Sequence, residues 1–208
     1  MVQSKYFNKE FNLILKLLFE KKQISKKLFK GYNYDKIISI SSRHLMIPSL
    51  YVNLKKKKYD LYCPSDFVNY CKEIYLINKS RNLTLINDVK EISQNLNKNL
   101  IDHAFIKGSA HLFFDLYHDI GERMIGDIDI LVNEKQCYRA FEIIKKIGYE
   151  KSKKYNFFEA QSRHLKRQTG GKKLFAVEIH KKIIDNNKLV KIHENSFLQK
   201  KIKVKNIN

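Results

Sequence analysis

Through the first hundred residues the apolar positions recur at helical spacing. Phe7, Phe11, Leu13, Ile14, Leu17, Leu18 and Phe19 make one stripe within residues 7–30, and Ile24–Phe29 makes a second, shorter one. Asp35–Asn53 repeats the pattern with Ile37, Ile38, Ile40, Leu45, Ile47, Leu50 and Tyr51, and Pro48 is expected to kink or divide it. The run Lys55–Lys58 then reads as a solvated helix end. Cys63-Pro64-Ser65-Asp66 is a helix start. From there Phe67, Tyr70, Ile74, Ile77, Leu83, Leu85, Ile86, Val89, Ile92 and Leu96 continue with no Pro or Gly, which predicts one long helix to about Asn97.

The pattern changes at Ala104. Ala104–Ile106 is a short apolar run that reads as a buried strand, followed by Lys107-Gly108-Ser109 and a helix presenting Leu112, Phe113, Leu116 and Tyr117 on one face. After a loop over 119–126, Asp127–Val132 alternates as a strand does, with Ile128, Ile130 and Val132 on the core side. Asn133 and Gln136 form a capping box for a helix carrying Cys137, Ala140, Phe141, Ile144 and Ile147, and Gly148 caps its end. Strands are expected over Tyr149–Tyr155, Phe157–Leu165 and Leu174–Lys181, the last two separated by a turn at Thr169–Lys172, with one more at Ile202–Val204. The fold class is therefore α+β: a helical N-terminal region over 1–100 and a small mixed β-sheet core over 101–208.

Composition bounds the function classes. With 43% apolar and 12% aromatic residues the chain is expected to fold rather than stay disordered. The net charge of +20 suggests a nucleic-acid partner at first sight. It is spread evenly, however: residues 1–100 carry 19 Lys+Arg against 8 acids, and residues 101–208 carry 22 against 13. Together with 25 Ile and 18 Asn, this matches the amino-acid bias of an AT-rich genome better than a focused basic footprint. A diffuse positive field still attracts nucleoside triphosphates or RNA. Apolar runs are too short for a membrane span, no signal-peptide pattern opens the chain, and a cytoplasmic location is expected. Cys63, Cys71 and Cys137 form no Cys-x-x-Cys pair, so reduced thiols are expected rather than disulfides or structural zinc.

The chemistry gathers around 104–132 and one later strand. Gly108-Ser109 sits where a strand hands over to a helix, a junction whose free N–H groups suit a phosphate. Asp127 and Asp129 share one strand face about 7 Å apart, and such oxygen pairs suit Mg²⁺. In Leu174–Lys181, Val177 and Ile179 share one face and Glu178 and His180 the other, the parity Glu178 needs to join the two aspartates. Each piece alone has a plainer reading, as a turn or a solvated sheet face; their order and parity together favour a site. Clustered carboxylates repel, so Asp129→Asn is expected to leave the fold intact or slightly more stable.

This combination resembles the nucleotidyltransferases of the DNA polymerase β-like superfamily. It is closer to a bacterial branch labelled only as nucleotidyltransferase-family proteins. The residues that carry the resemblance are Lys107-Gly108, Tyr117, Arg123, Gly126-Asp127-Ile-Asp129, Gly148-Tyr149 and Glu178-Ile-His180, with Arg43-His44, Pro48, Pro64 and Asn82 upstream. It covers about residues 35–182; in the branch further helices follow the acidic-x-His strand, whereas this sequence stops at Asn208. The resemblance implies that Asp127, Asp129 and Glu178 are the catalytic carboxylates and hold two Mg²⁺ ions with a bound nucleoside triphosphate. Glu178 is alternatively the base that takes the acceptor's proton. Lys107, Gly108, Ser109, Arg123 and His180 are the nucleotide-binding candidates. Lys107 either neutralises phosphate or covers the strand end. Arg123 either binds phosphate or clamps Asp127, and His180 either props Glu178 or touches the base. The implied activity moves a nucleoside monophosphate to an unknown acceptor (small molecule, RNA or protein) and releases pyrophosphate. The alternatives are a catalytically inactive nucleotide- or RNA-binding module and a structural adaptor.

Overall fold

The helical periodicity of the N-terminal sequence is realised as four helices. In the computed structural model, which describes residues 9–114, 116–151, 162–184 and 194–204, they are α1 (Lys9–Phe19), α2 (Tyr34–Arg43), α3 (Ile47–Lys56) and α4 (Ser65–Lys98). The chain divides into two compact units, Met1–Asn82 with Tyr117–Met124 and Leu83–Leu116 with Ile125–Asn208. The 34-residue α4 therefore supplies its first half to one unit and its second half to the other. It runs almost as the unbroken pattern predicts.

The first unit is helical. Leu13, Ile14 and Leu17 of α1, Ile37 of α2, Leu50 and Leu54 of α3, and Phe67 and Cys71 of α4 form its core together with Phe29 and Tyr59. Tyr59 is buried in this core, and its hydroxyl is satisfied there by accepting from the Ile24 N–H at 2.7 Å. Burial pushes the Cys71 thiol up to about 12, and Cys63, Cys71 and Cys137 form no disulfide. The stretch 35–53 divides at Leu45, not at Pro48, which lies in the first turn of α3. Leu45 adopts φ 57°, and the Met46 N–H returns to the Ser41 carbonyl at 2.8 Å to close α2. Lys58 and Leu100 end α3 and α4 in the same left-handed way. The segment 117–124 is held by α4: the Asn78 amide donates to the Gly121 and Arg123 carbonyls, and the Asn82 amide to those of Ile120 and Arg123.

The second unit is built on a mixed five-stranded sheet in the order β1-β2-β5-β4-β3. Its strands are β1 (His103–Ile106), β2 (Asp127–Val132), β3 (Glu150–Lys151), β4 (Gln168–Thr169) and β5 (Ala176–His180). β1 runs antiparallel to β2, and β5 runs parallel to β2, the register placing Asp129 beside both Ile106 and Glu178. Ile128, Ile130, Val132, Val177 and Ile179 join Leu85, Val89, Ile92 and Leu96 of α4 in the core, with Ala140 and Ile144 of α6 (Cys137–Lys146). Each such side chain contributes about 1.5–3 kcal/mol on burial, so the alternation itself fixes which face of β2 is left for chemistry. Lys173, in the loop entering β5, donates to Asp88 at 3.2 Å and Glu91 at 2.5 Å on α4, which anchors β5 at its start. No helix among the described residues is long and apolar enough to cross a membrane.

Several local expectations change. The helix after β1, α5 (Lys107–His111), is five residues long and does not carry Leu112, Phe113, Leu116 and Tyr117 as one face. Beyond it the bonds tighten: Phe113 N–H reaches Ala110, and Leu116 N–H reaches only Phe114. The expected capping box does not form; Asn133 caps a 3₁₀ turn over Glu134–Gln136, and the Gln136 amide donates to the Leu100 carbonyl. Gly148 does close α6, at φ 98°, with Tyr149 N–H returning to Ile144. Of the strands expected over 149–155 and 157–165, residues 152–161 lie outside the described residues; the remainder gives β3 and a single bridge from His164 to His180. Residues 202–204 form no strand, and the polar tail instead carries a short helix, α7 (Glu194–Gln199), which packs against β2 and buries Leu198.

Candidate active site

The register of three neighbouring strands assembles the site. β1 ends at Ile106, abreast of Asp129, and Asp129 is abreast of Glu178, so Lys107 at the end of β1 arrives at the same place as the two carboxylates. Lys107 takes the left-handed conformation at φ 56°, a backbone cost for a non-glycine residue that turns the chain from strand into α5. Its ammonium donates to Asp129 Oδ1 at 2.5 Å. His180 is fully buried, two residues beyond Glu178 on the same face of β5, and its Nε2–H donates to the same Asp129 oxygen at 2.7 Å. Lys107 Nζ and His180 Nε2 are 3.3 Å apart, and His180 Nε2 lies 3.8 Å from Glu178 Oε2.

Asp127, two residues before Asp129 on β2, is half-buried, and the guanidinium beside it belongs to Arg167 rather than Arg123. Arg167 Nη2 is 3.6 Å from Asp127 Oδ2 and its Nε is 3.9 Å from Glu178 Oε1, so one guanidinium spans both carboxylates. Gln168 pairs with Val177 across β4 and β5, and that brings the preceding Arg167 level with Glu178. Nothing in the sequence pattern marked it, because a two-residue strand shows no alternation. Arg123 lies in the 117–124 segment of the helical unit, where its carbonyl accepts from Asn78 and Asn82.

The Gly108-Ser109 turn is also placed. Ser109 is fully buried and its hydroxyl donates to the Ile106 carbonyl at 3.1 Å, so it stitches α5 to β1 and faces inward. Gly108 has little room on its side-chain side: a Cβ there would sit 3.4 Å from Ile125 Cγ2. Of the five nucleotide-binding candidates, the structure brings Lys107 and His180 to the carboxylates; Gly108 and Ser109 shape the turn.

The two aspartates differ electrostatically. Burial, then the charges of Asp129 and Glu178, raise the Asp127 carboxyl above its ordinary value, against the pull of Arg167 and Lys107. Burial also pushes Asp129 upward, but hydrogen bonds from His180 and Lys107 outweigh it and leave it below its ordinary value. The repulsion expected of the cluster thus falls on Asp127, not on the well-partnered Asp129.

The donor atoms of Asp129, Glu178 and His180 lie within 4.8 Å of one another. Asp127 stands one step outside this group, tied to Glu178 through Arg167. Carboxylate oxygens with one imidazole, beside a further carboxylate left with excess negative charge, fit a divalent cation. His180 Nδ1 is buried without a hydrogen-bond partner among the described residues, so the imidazole is anchored by its other nitrogen alone. The face can bind a cation, polarise an acceptor group beside a carboxylate, and meet phosphate with two flexible positive side chains.

A family model described as an uncharacterised nucleotidyltransferase matches residues 9–207. No curated protein matches the chain.

Proposed function

The chain belongs to this nucleotidyltransferase family, and from that premise we propose that it moves a nucleoside monophosphate from a nucleoside triphosphate to an acceptor at the Asp127–Asp129–Glu178 face. An acceptor oxygen attacks the α-phosphorus, the bond from that phosphorus to the bridging oxygen breaks, and pyrophosphate leaves with the bonding electrons. The acceptor's proton goes to a carboxylate, for which Glu178 is suited. It is partly exposed and, unlike Asp129, has no lysine on it among the described residues. Mg²⁺ held by Asp127, Asp129 and Glu178, with His180 beside them, would supply Lewis acidity toward the phosphates and the acceptor. Asp129 is held in its ionised form by His180 and Lys107 and serves as the fixed charge of the site. Lys107 and Arg167 are each about half exposed and already lie among the carboxylates, so they are within reach of incoming phosphate oxygens. Phosphoryl chemistry of this kind asks chiefly for position and charge neutralisation, which such a face provides.

The observation that carries the reading is the register that sets Asp129 beside Glu178 on parallel strands, with Asp127 and His180 on the same face. The test is incubation of the protein with each α-labelled triphosphate, Mg²⁺ and a cell extract, followed by identification of the labelled molecule. A covalently labelled small molecule, RNA or protein that disappears with Glu178→Gln supports the proposal. Absence of label from every triphosphate counts against it.

A further inference from the structure

We infer that Lys107 is the resident cation of the Asp129–Glu178–His180 cluster, and that a divalent ion enters only by displacing it. The inference rests on the proposed nucleotidyltransferase reading and adds how that site is regulated. Lys107 Nζ lies 2.5 Å from Asp129 Oδ1 and 3.3 Å from His180 Nε2, so the ammonium already touches two of the three convergent donors. A small divalent ion sits roughly 2.0–2.1 Å from each oxygen it binds. An ion on that Asp129 oxygen would share the same few ångströms with the ammonium, and two cations so close repel strongly.

Exposure decides which group gives way. The side chains of Asp129 and His180 are 4% and 1% exposed, whereas that of Lys107 is 45% exposed. The aspartate and imidazole are fixed in the sheet; the lysine has a route into water. His180 already aims Nε2 at the cluster from a fully buried position, and with its ring proton moved to the unpartnered Nδ1 that nitrogen offers a lone pair when the ammonium leaves. The released ammonium, on the residue that opens α5, becomes available to a polyanion such as the triphosphate. Metal alone therefore binds against Lys107, and a nucleotide that takes up the ammonium removes that opposition. By linkage each ligand strengthens the other.

The test uses Mn²⁺ alone as probe, titrated by electron paramagnetic resonance into the full chain and into Lys107→Met and Lys107→Asn. The asparagine variant suits the left-handed backbone and guards against misfolding. Both variants are expected to bind Mn²⁺ about tenfold tighter than wild type, the scale on which one adjacent charge shifts binding of another cation. Equal or weaker binding overturns the inference. If Mn²⁺ binds wild type and variants alike and Asp129→Asn abolishes it, the competition is refuted while the metal site stands. If Mn²⁺ binds none of them, both fall. A second measurement needs no variant: acylation of Lys107, followed by mass spectrometry, is expected to accelerate severalfold at saturating Mg²⁺, and an unchanged rate overturns the inference as well.

Discussion

Asp127 and Asp129 lie two residues apart on β2, yet asparagine at each is expected to move stability in opposite directions. Asp129 accepts from Lys107 at 2.5 Å and from His180 at 2.7 Å through one buried oxygen. Hydrogen bonds to a charged group are worth about 1.5–3 kcal/mol each. In Asp129→Asn the amide would keep one acceptor oxygen, and Lys107, being half exposed, escapes to water, so the expected loss is about 2 kcal/mol. In a chain of this size that is a fall of roughly 4–8 °C in melting temperature. At Asp127 the amide removes repulsion from Asp129 and Glu178 and gives up an Arg167 contact at 3.6 Å. The Asp127 side chain is 36% exposed, so solvent screening limits the net gain to about 0.5 kcal/mol or less.

The pH dependence follows from the two directions of shift. Asp129 is lowered in the folded state, so its stabilisation is present at neutral pH and is lost as pH falls below the ordinary carboxylate range. Asp127 is raised, so its penalty is present at neutral pH and fades as pH falls through its folded value into that range. Both variants should therefore approach wild type in acid. Urea unfolding in EDTA at neutral and acid pH measures this directly. Wild-type stability in Asp129→Asn, or an equal loss in Asp127→Asn, would refute the assignment of partners.

A Cβ at Gly170 would meet the Gly148 carbonyl oxygen at 2.3 Å and Lys173 Cγ at 2.9 Å, while one at Gly171 meets nothing within 4 Å. Gly170→Ala is expected to cost about 1–3 kcal/mol and Gly171→Ala close to nothing, read from paired thermal melts. Burial holds His103 below its ordinary value, with Ser93 and the Ile101 carbonyl on its two nitrogens. The unfolded chain therefore takes up the proton first, and stability should fall as pH drops below about 6.5. His103→Gln should flatten the melting temperature between pH 7 and 5, and an unchanged slope counts against the assignment.

The long α4 was legible because nothing between residues 65 and 98 interrupts its apolar spacing. The parity of β2 and β5 was equally plain, since alternation puts Ile128 and Val177 in the core and Asp129 and Glu178 on the other face. The end of α6 was marked by a glycine, but the ends of α2, α3 and α4 fall on Leu45, Lys58 and Leu100, residues whose propensities argue against a left-handed backbone. Tertiary packing overrides that preference. The same limit hid Arg167 and the pairing of His180 with Asp129, which depend on cross-strand register rather than on local pattern. The inward turn of the Ser109 hydroxyl was likewise invisible, because Gly-Ser reads the same whether it cradles a ligand or stitches a strand end.

Pyrophosphate release tests the central claim most directly. Wild type is assayed with each of the common nucleoside triphosphates, Mg²⁺ and the acceptor fraction, beside Asp129→Asn and Glu178→Gln, each checked for a cooperative melt. Wild type should release pyrophosphate in step with acceptor labelling, with the rate lost by at least about a hundredfold in both variants, as expected for removal of charge essential to the transition state. Folded variants that release pyrophosphate at the wild-type rate, or wild type that releases none with any triphosphate, would contradict it.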